Sequence, residues 1–417
     1  MSSTPAPAIR AGLAEAAARF GTPAYVLDVA ALTRAAAAVE QAFPSPWVHQ
    51  YSLKANDLPA VAELLAARGW GANVVSSGEW AGARSAGVAV GRTTLEGVGK
   101  TDADLRAAVE AAAAGESLRW VAVESADELV RLAELHRPGA DLPVLLRLNP
   151  DVQPETAPGL AVGLAASKFG LTAEDLLELA AAPLWQQGLR LAGIHVHMGS
   201  HLRDVSAWAL AGCRAVALLE QVRAAYAGAG TPDTVDFGGG FPAYGASPAP
   251  ADFAAALSDA LDRAGLALPP TAAIEPGRVV VGAAGWLVAS VLHTRVRGDG
   301  RQVVLDAGMT ELIRPALYGS HHQVTAVNAD SLDGAGTDAL EDVVVQGAVC
   351  ESTDTFGVHP LPPLRRGDLV VLHEAGAYGA SFSSRYNGRP PAPEVLLWPD
   401  GTLSLGERTP PPERKQP

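Results

Sequence analysis

Lys54, in the stretch Tyr51-Ser52-Leu53-Lys54-Ala55-Asn56, sits where a surface lysine has little reason to be. Trp47-Val48-His49-Gln50-Tyr51 reads as a short strand and Asp57-Leu58-Pro59 opens a helix, so the ammonium falls at the strand's C-terminal end. The other lysines are Lys100, Lys168 and Lys415, in a chain that otherwise uses arginine for surface charge. A primary amine at a strand end can form a Schiff base with an aldehyde once burial or neighbours lower its pKa. A lysine snorkelling at a barrel rim is the alternative. Further polar groups recur at strand ends: Asn73 and Ser76, His197 and Ser200, the triplet Gly238-Gly239-Gly240, and Glu275-Pro276-Gly277-Arg278.

In a barrel those ends converge on one mouth, and the loops after the last two strands often hold phosphate. A glycine triplet lets backbone N–H groups approach an anion closely, although by itself it is equally a tight turn. With Ser200 as hydroxyl donor and Arg278 as cation, phosphate is the better reading. Schiff-base lysine plus phosphate suggests pyridoxal phosphate. Glu275 could then face the pyridine nitrogen and keep it protonated, which makes the ring an electron sink. An ion pair with Arg278 is the plainer role. His197 could stack on the ring or be structural.

Farther on, Cys350 and Glu351 place a thiol beside a carboxylate in a loop. Cys350 is either a buried inert cysteine or the proton source that replaces a departing carboxylate. Arg314 and Tyr318 could hold a second carboxylate. Tyr386 is a contact for cofactor or substrate, or a packed tyrosine.

The positioning elements follow from periodicity. Strands are expected near 48–54, 72–75, 93–96, 118–123, 143–148, 189–197, 233–236 and 271–274. Helices are expected near 57–68, 78–86, 102–114, 126–136, 172–181, 205–228 and 250–264. This alternation predicts a closed (β/α)₈ barrel domain over 30–278, whose first strand follows a helix over Val29–Phe43. From 279 to 417 the texture is β-rich with glycine and proline turns. It predicts a second, mainly antiparallel β domain that residues 1–29, with a strand at Ala24–Leu27, would join. Asn328–Glu341 reads as a surface loop and Glu407–Pro417 as a frayed tail.

The 417 residues suffice for two cores, with 48% hydrophobic residues and a mean hydropathy of +0.13. A net charge of −14 without a long basic run argues against nucleic acid or an anionic membrane as partner. No uncharged apolar run could span a bilayer. The start Met1-Ser2-Ser3-Thr4-Pro5 has no signal-peptide pattern, and Cys213 and Cys350 are the only cysteines. A cytoplasmic setting without disulfides or a metal site is expected.

Taken in order, the chain resembles the fold-type III pyridoxal-phosphate decarboxylases. The matching segments are YSLKAN (51–56), SSGEW (76–80), LNPDVQPET (148–156), SKFG (167–170), HVHMGSH (195–201), DFGGGFP (236–242), EPGR (275–278), DAGMTELIRPALYGSHH (306–322), CES (350–352) and GAYGASFSSRYNGRP (376–390). RPALY, CES and the AGAYG segment resemble the diaminopimelate branch more than the ornithine or arginine branches. The resemblance implies that Lys54 carries the cofactor covalently and His197 stacks on it. It implies that Asn73, Ser200, Gly239, Gly240, Glu275, Pro276, Gly277 and Arg278 hold the cofactor. It further implies that Arg278, Arg314 and Tyr318 bind substrate, Cys350 donates the proton, Glu351 receives the distal ammonium and Tyr386 contacts cofactor or substrate.

The expected reaction converts meso-2,6-diaminopimelate to L-lysine and CO₂. The expected assembly is a homodimer whose sites are shared, Cys350 and Glu351 crossing over. Asn73, Ala157, Val98 and His201 depart from the usual aspartate, histidine, asparagine and glutamine. Two rival readings are a related decarboxylase for another, or carrier-bound, amino acid, and a non-catalytic pyridoxal-phosphate carrier, which would not need residues 279–417 or Cys350. A racemase of this fold would favour arginine at the ring nitrogen.

Overall fold

The computed structural model describes residues 5–137, 139–187, 189–298, 300–327 and 340–408. The chain forms two compact units, one of residues up to Ala35 with Arg278–Glu407, the other of Ala36–Gly277 with Arg408.

The chain opens with α1 (Pro7–Phe20), β1 (Ala24–Asp28) and α2 (Val29–Ala42). It then builds a closed parallel barrel from β2 (Val48–Ser52), β3 (Gly71–Val74), β4 (Thr93–Leu95), β5 (Trp120–Val123), β6 (Leu142–Leu148), β7 (Leu189–Val196), β8 (Thr234–Asp236) and β9 (Thr271–Ile274). β9 pairs back onto β2, Val48 opposite Ala273. Between the strands lie α3 (Pro59–Ala66), α4 (Ser77–Ser85), α5 (Asp102–Ala113), α6 (Ala126–Leu135), α7 (Ala173–Ala180), α8 (Ser206–Ala225) and α9 (Pro250–Ala264).

Local signals explain these starts. Ser76, Ser125 and Thr172 accept the N–H three residues on, and Thr101 with Asp104 makes a reciprocal capping box. α9 ends at Gly265 in the left-handed region, where glycine carries no Cβ penalty. All eight barrel strands and seven helices thus lie within a few residues of their expected spans.

Trp120, Ala122, Leu145, Ala192 and Ala273 pack together, and residues from β5, β6, β7 and β9 meet only across the lumen. One tryptophan against four smaller side chains fills it. Because strand side chains alternate, the same inward rows continue toward the C-terminal ends as Glu124, Arg147 and Glu275. The interior therefore changes from apolar to charged along its axis.

In the other unit, β1 lies inside a nine-stranded sheet ordered β14-β13-β11-β10-β1-β16-β17, in which β15 pairs with both β10 and β12. Its later members are β10 (Gly285–Arg297), β11 (Gly300–Leu305), β12 (Val324–Ala326), β13 (Glu341–Gln346), β14 (Thr355–Leu361), β15 (Leu369–Leu372), β16 (Glu394–Leu397) and β17 (Leu403–Leu405), with short helices α10 (Arg278–Val281) and α11 (Arg314–Tyr318). Most pairings are antiparallel, but β1–β16 and β11–β13 are parallel. Alternation along β10 sends Leu287, Ala289 and Val291 to one core and Val288 to another, shared with Leu13 and Ala16 of α1.

α1 has no counterpart in the sequence expectation, which placed only the strand at Ala24–Leu27 before residue 29. Pro7 stands in the first turn of α1, where its missing N–H breaks no helical hydrogen bond. The strand expected to reach Lys54 stops at Ser52, and Leu53–Ala55 is a 3₁₀ turn. The expected loop at 328–341 lies outside the described residues as far as 339, as does the expected tail from 409; Arg408 pairs with Asp57.

Candidate active site

Lys54 stands on the 3₁₀ turn just beyond β2, half-buried. The turn is anchored by Tyr51 Oη, which donates to Asn56 O at 2.7 Å, and by Leu58 N, which donates to Asn56 Oδ1 at 3.0 Å. The segment after β9 comes directly against it. Ser52 N donates to Pro276 O at 3.2 Å, and a Cβ on Gly277 would lie 3.0 Å from Ala55 Cβ and 3.2 Å from Ser52 Cβ. Gly277 is thus required by close approach, and it brings Glu275 and Pro276 beside the lysine turn.

His197 follows β7. Its Nδ1 accepts from Gly239 N at 3.1 Å, which puts the ring proton on Nε2. Burial, then the charge of Lys54, holds it well below the ordinary histidine pKa, so the ring is neutral at physiological pH. Gly238 N donates to Asp236 Oδ1 at 3.0 Å, so two N–H groups of the glycine run are committed within the barrel. Gly240, at φ 111°, is the member not used in this way. The expectation of a cradle made by the whole triplet therefore narrows to Gly240. Ser200 N donates to Leu160 O at 3.2 Å, and its carbonyl accepts from Thr156 Oγ1 at 2.6 Å. Ser76 serves as the cap of α4, and Glu79 beside it is pushed up to about 7, first by burial.

Below the rim lies a buried polar group that the sequence reading passed over in part. Asn73 Nδ2 donates to Glu96 Oε2 at 2.9 Å, and His195 Nε2 stands 3.0 Å from Glu275 Oε1. Burial pushes His195 down to about 4. Glu96 ends the segment expected as strand 93–96, so the strand-end rule that selected Lys54 and Glu275 would have selected it as well.

The fit to pyridoxal phosphate rests on these observations. A half-buried amine, a neutral imidazole, a carboxyl with its Oε1 buried and lacking an aligned partner, and a glycine at a rim position face one barrel mouth.

The β-rich unit gathers the remaining residues in two groups. Arg278 lies 4.8 Å from the ring centroid of Tyr378, and Arg314 lies 5.9 Å from that ring and 5.7 Å from that of Tyr318. Arg314 also donates to His322 Nε2 at 3.4 Å and Ser320 Oγ at 3.2 Å. Burial, then the charge of Arg278, pushes Arg314 down to about 10, so it stays cationic. Tyr378 was missed, although it stands in the GAYG segment; its φ of 57° aims its ring by a backbone feature that sequence does not display.

The second group is exposed. Tyr386 Oη donates to Glu351 Oε1 at 2.6 Å and Cys350 N donates to Asn387 Oδ1 at 3.2 Å. Cys350 is exposed, which removes the plainer of its two readings, a buried inert thiol. Tyr386 is partnered with Glu351.

Residues 29–282 match the family described as pyridoxal-dependent decarboxylase, pyridoxal binding domain. Diaminopimelate decarboxylase of Aquifex aeolicus is 33% identical over 94% of this chain and 90% of that protein, and that of Deinococcus radiodurans is 36% identical over 93% of each. The crystal structure of diaminopimelate decarboxylase from Helicobacter pylori, complexed with L-lysine, superposes with a TM-score of 0.82 at 29% identity, covering 94% of this chain and 95% of that one. A lysine at the barrel rim, a cofactor-binding family match over the barrel and relatives matched nearly end to end place this chain among the fold-type III pyridoxal-phosphate-dependent decarboxylases, in the diaminopimelate decarboxylase family.

Proposed function

We propose that this enzyme converts meso-2,6-diaminopimelate to L-lysine and CO₂, as a cytoplasmic homodimer with shared sites. The observation that carries the substrate assignment is the pair of buried guanidiniums, Arg278 and Arg314, gathered on the ring of Tyr378. Diaminopimelate brings a second carboxylate to such a site. Ornithine, arginine and lysine bring only a distal cation, which two arginines repel.

Bound pyridoxal phosphate supplies an electron sink for the pair left when the α-carboxylate departs. Lys54 binds the cofactor covalently through its amine. His197 presents a neutral ring to it, and Ser200 and Gly240, with Asn73, Pro276, Gly277 and Arg278, hold it in place. Glu275 supplies the negative charge for the ring nitrogen. Arg314 with Tyr318 and Tyr378 orients the distal carboxylate, while Glu351, steadied by Tyr386, receives the distal ammonium. The Cys350 thiol delivers a proton to the α-carbon, with Cys350 and Glu351 supplied by a second copy of the chain.

Release of CO₂ should be measured with meso-diaminopimelate, ornithine, arginine and lysine in parallel. Turnover confined to diaminopimelate is expected; faster turnover of ornithine or arginine would overturn the assignment. The shared site is tested by mixing inactive Lys54→Ala and Cys350→Ala proteins, which should recover about a quarter of wild-type sites after random exchange. Exchange verified by mass without recovered activity would remove the crossing-over of Cys350.

A further inference from the structure

Glu96 stands directly after β4 at the level of Glu275 and is buried, 3% exposed. Its Oε2 accepts from Asn73 Nδ2 at 2.9 Å and lies 3.8 Å from His195 Nε2. His195 Nε2 in turn lies 3.0 Å from Glu275 Oε1. One polar atom from each of Glu96, His195 and Glu275 falls within 4.8 Å of the others, and the two glutamates are within hydrogen-bonding reach of each other. Glu96 Oε1 and Glu275 Oε1 are buried and have no other aligned hydrogen bond. Asp236 of β8 adds a third buried carboxyl whose charge interacts with both. Lys54 is the cation that faces both Glu96 and His195, and Arg147 of β6 with Glu124, just after β5, also faces His195.

Two adjacent carboxyls in a dry interior cannot both ionise cheaply, so the pair holds a proton. The neighbours decide which member keeps it. His195 is neutral and leaves that proton uncontested. Asn73 presents its amide N–H to Glu96 Oε2, which leaves Oε1 as the oxygen for the acid proton. Burial, then the charge of Glu275, pushes Glu96 up to about 8.

We propose that Glu96 keeps its proton at neutral pH and donates it to Glu275, acting as a positioning residue that holds Glu275 as the one anion facing the cofactor's ring nitrogen. The proposal rests on the reading of Glu275 given above. Asn73 and Glu96 form with Glu275 a chain in which each member orients the next. In this role Glu96 acts through Glu275.

Two measurements test this. In cofactor-free, chelator-treated protein, infrared difference spectra taken from mildly acidic to alkaline pH should lose a buried carboxylic-acid component with a midpoint near 8. That component should be missing from Glu96→Gln; identical spectra for wild type and variant would overturn the proposal. Titration with pyridoxal phosphate, followed by absorbance, should give Glu96→Gln an affinity within about threefold of wild type, because the amide donates in place of the acid. Glu96→Ala should bind about tenfold more weakly, since it leaves buried partners unsatisfied. Equal losses in both variants would mean that the charge of Glu96, not its proton, is what matters, and the proposal would fall. If Glu96→Ala does not fold, the infrared component and Glu96→Gln still decide. Unchanged turnover in Glu275→Gln would remove the reading of Glu275 while leaving the infrared result intact, so the two failures are distinguishable.

Discussion

The barrel mouth collects carboxyls and the β-rich unit collects guanidiniums, and the two answer the cost of burying like charges in opposite ways. Glu96, Asp236 and Glu275 crowd together, and the crowding is relieved by protonation: Glu96 is pushed up to about 8 and Asp236 well above the usual carboxylate range, in each case mainly by burial. Arg278 and Arg314 have no such option, because guanidinium does not give up its proton at physiological pH. The partners seen for Arg314 are a neutral imidazole, a hydroxyl and two ring faces. A cluster of carboxyls can adjust its own charge, whereas the two arginines stay cationic and are faced within the protein by the single carboxylate of Glu374. One region is suited to tuning a cofactor and the other to recognising a carboxylate.

Removing the barrel anion should have the largest effect. Glu275→Gln keeps the shape and should still bind pyridoxal phosphate, while turnover falls by roughly two orders of magnitude or more, the scale of a lost electrostatic interaction. Absorbance confirms the cofactor and CO₂ release reports the rate; turnover near wild type would make Glu275 structural and end the contrast on the barrel side.

On the cationic side, Arg314→Gln should lower kcat/KM for diaminopimelate by about 10- to 100-fold, the range for one charge-assisted hydrogen bond. Arg314→Lys should not restore it, since an ammonium cannot reproduce the planar fork. Loss of a buried charge should leave the protein without ligand as stable as wild type or more so. If instead Arg314→Gln is strongly destabilised and keeps its KM, the guanidinium is a structural strut.

Much of this contrast was legible in the sequence because it follows period-2 rows and strand ends. Lys54, His197 and Glu275 were selected by their positions at the ends of barrel strands, and the structure puts Lys54 and His197 at the rim and Glu275 buried just below it. Glu96 was legible by the same rule but was passed over because no motif drew attention to it. Other features were hidden. That Gly238 and Gly239 commit their N–H groups within the barrel depends on an aspartate at the end of one strand and a histidine just after another. The role of Tyr378 depends on a positive φ, and the partnership of Tyr386 with Glu351 joins residues 35 apart in sequence. α1 was missed because proline reads as a breaker unless its place in the first turn is known.

The smallest effect concerns acid stability, where neutral buried imidazoles stand in both regions. His322 accepts from Arg314 on Nε2, and its Nδ1 lies 2.9 Å from His373 O, an arrangement that needs the neutral ring with its proton on Nδ1. Burial pushes it down to about 4. Below its ordinary pKa the unfolded chain takes up a proton that the folded chain refuses, so this stability is present above about 6.5 and is lost as pH falls toward 4. His195 in the barrel behaves in the same sense, also at about 4. Glu96 behaves in the opposite sense: its raised pKa makes the folded chain hold a proton that the unfolded chain releases, so its contribution fades as pH rises toward 8. His322→Gln retains an acceptor for Arg314 and removes the titration. Denaturant titrations around pH 5 should therefore give a dependence of stability on pH that is shallower by at most one proton, about 1.4 kcal/mol per pH unit. The dependence should not vanish, because His49, His136, His195, His197, His359 and His373 are shifted down as well. An unchanged slope would mean that His322 is already protonated in the folded chain. Arg314 would then face a further cation beside Arg278, with Glu374 as the anion of the protein that offsets them.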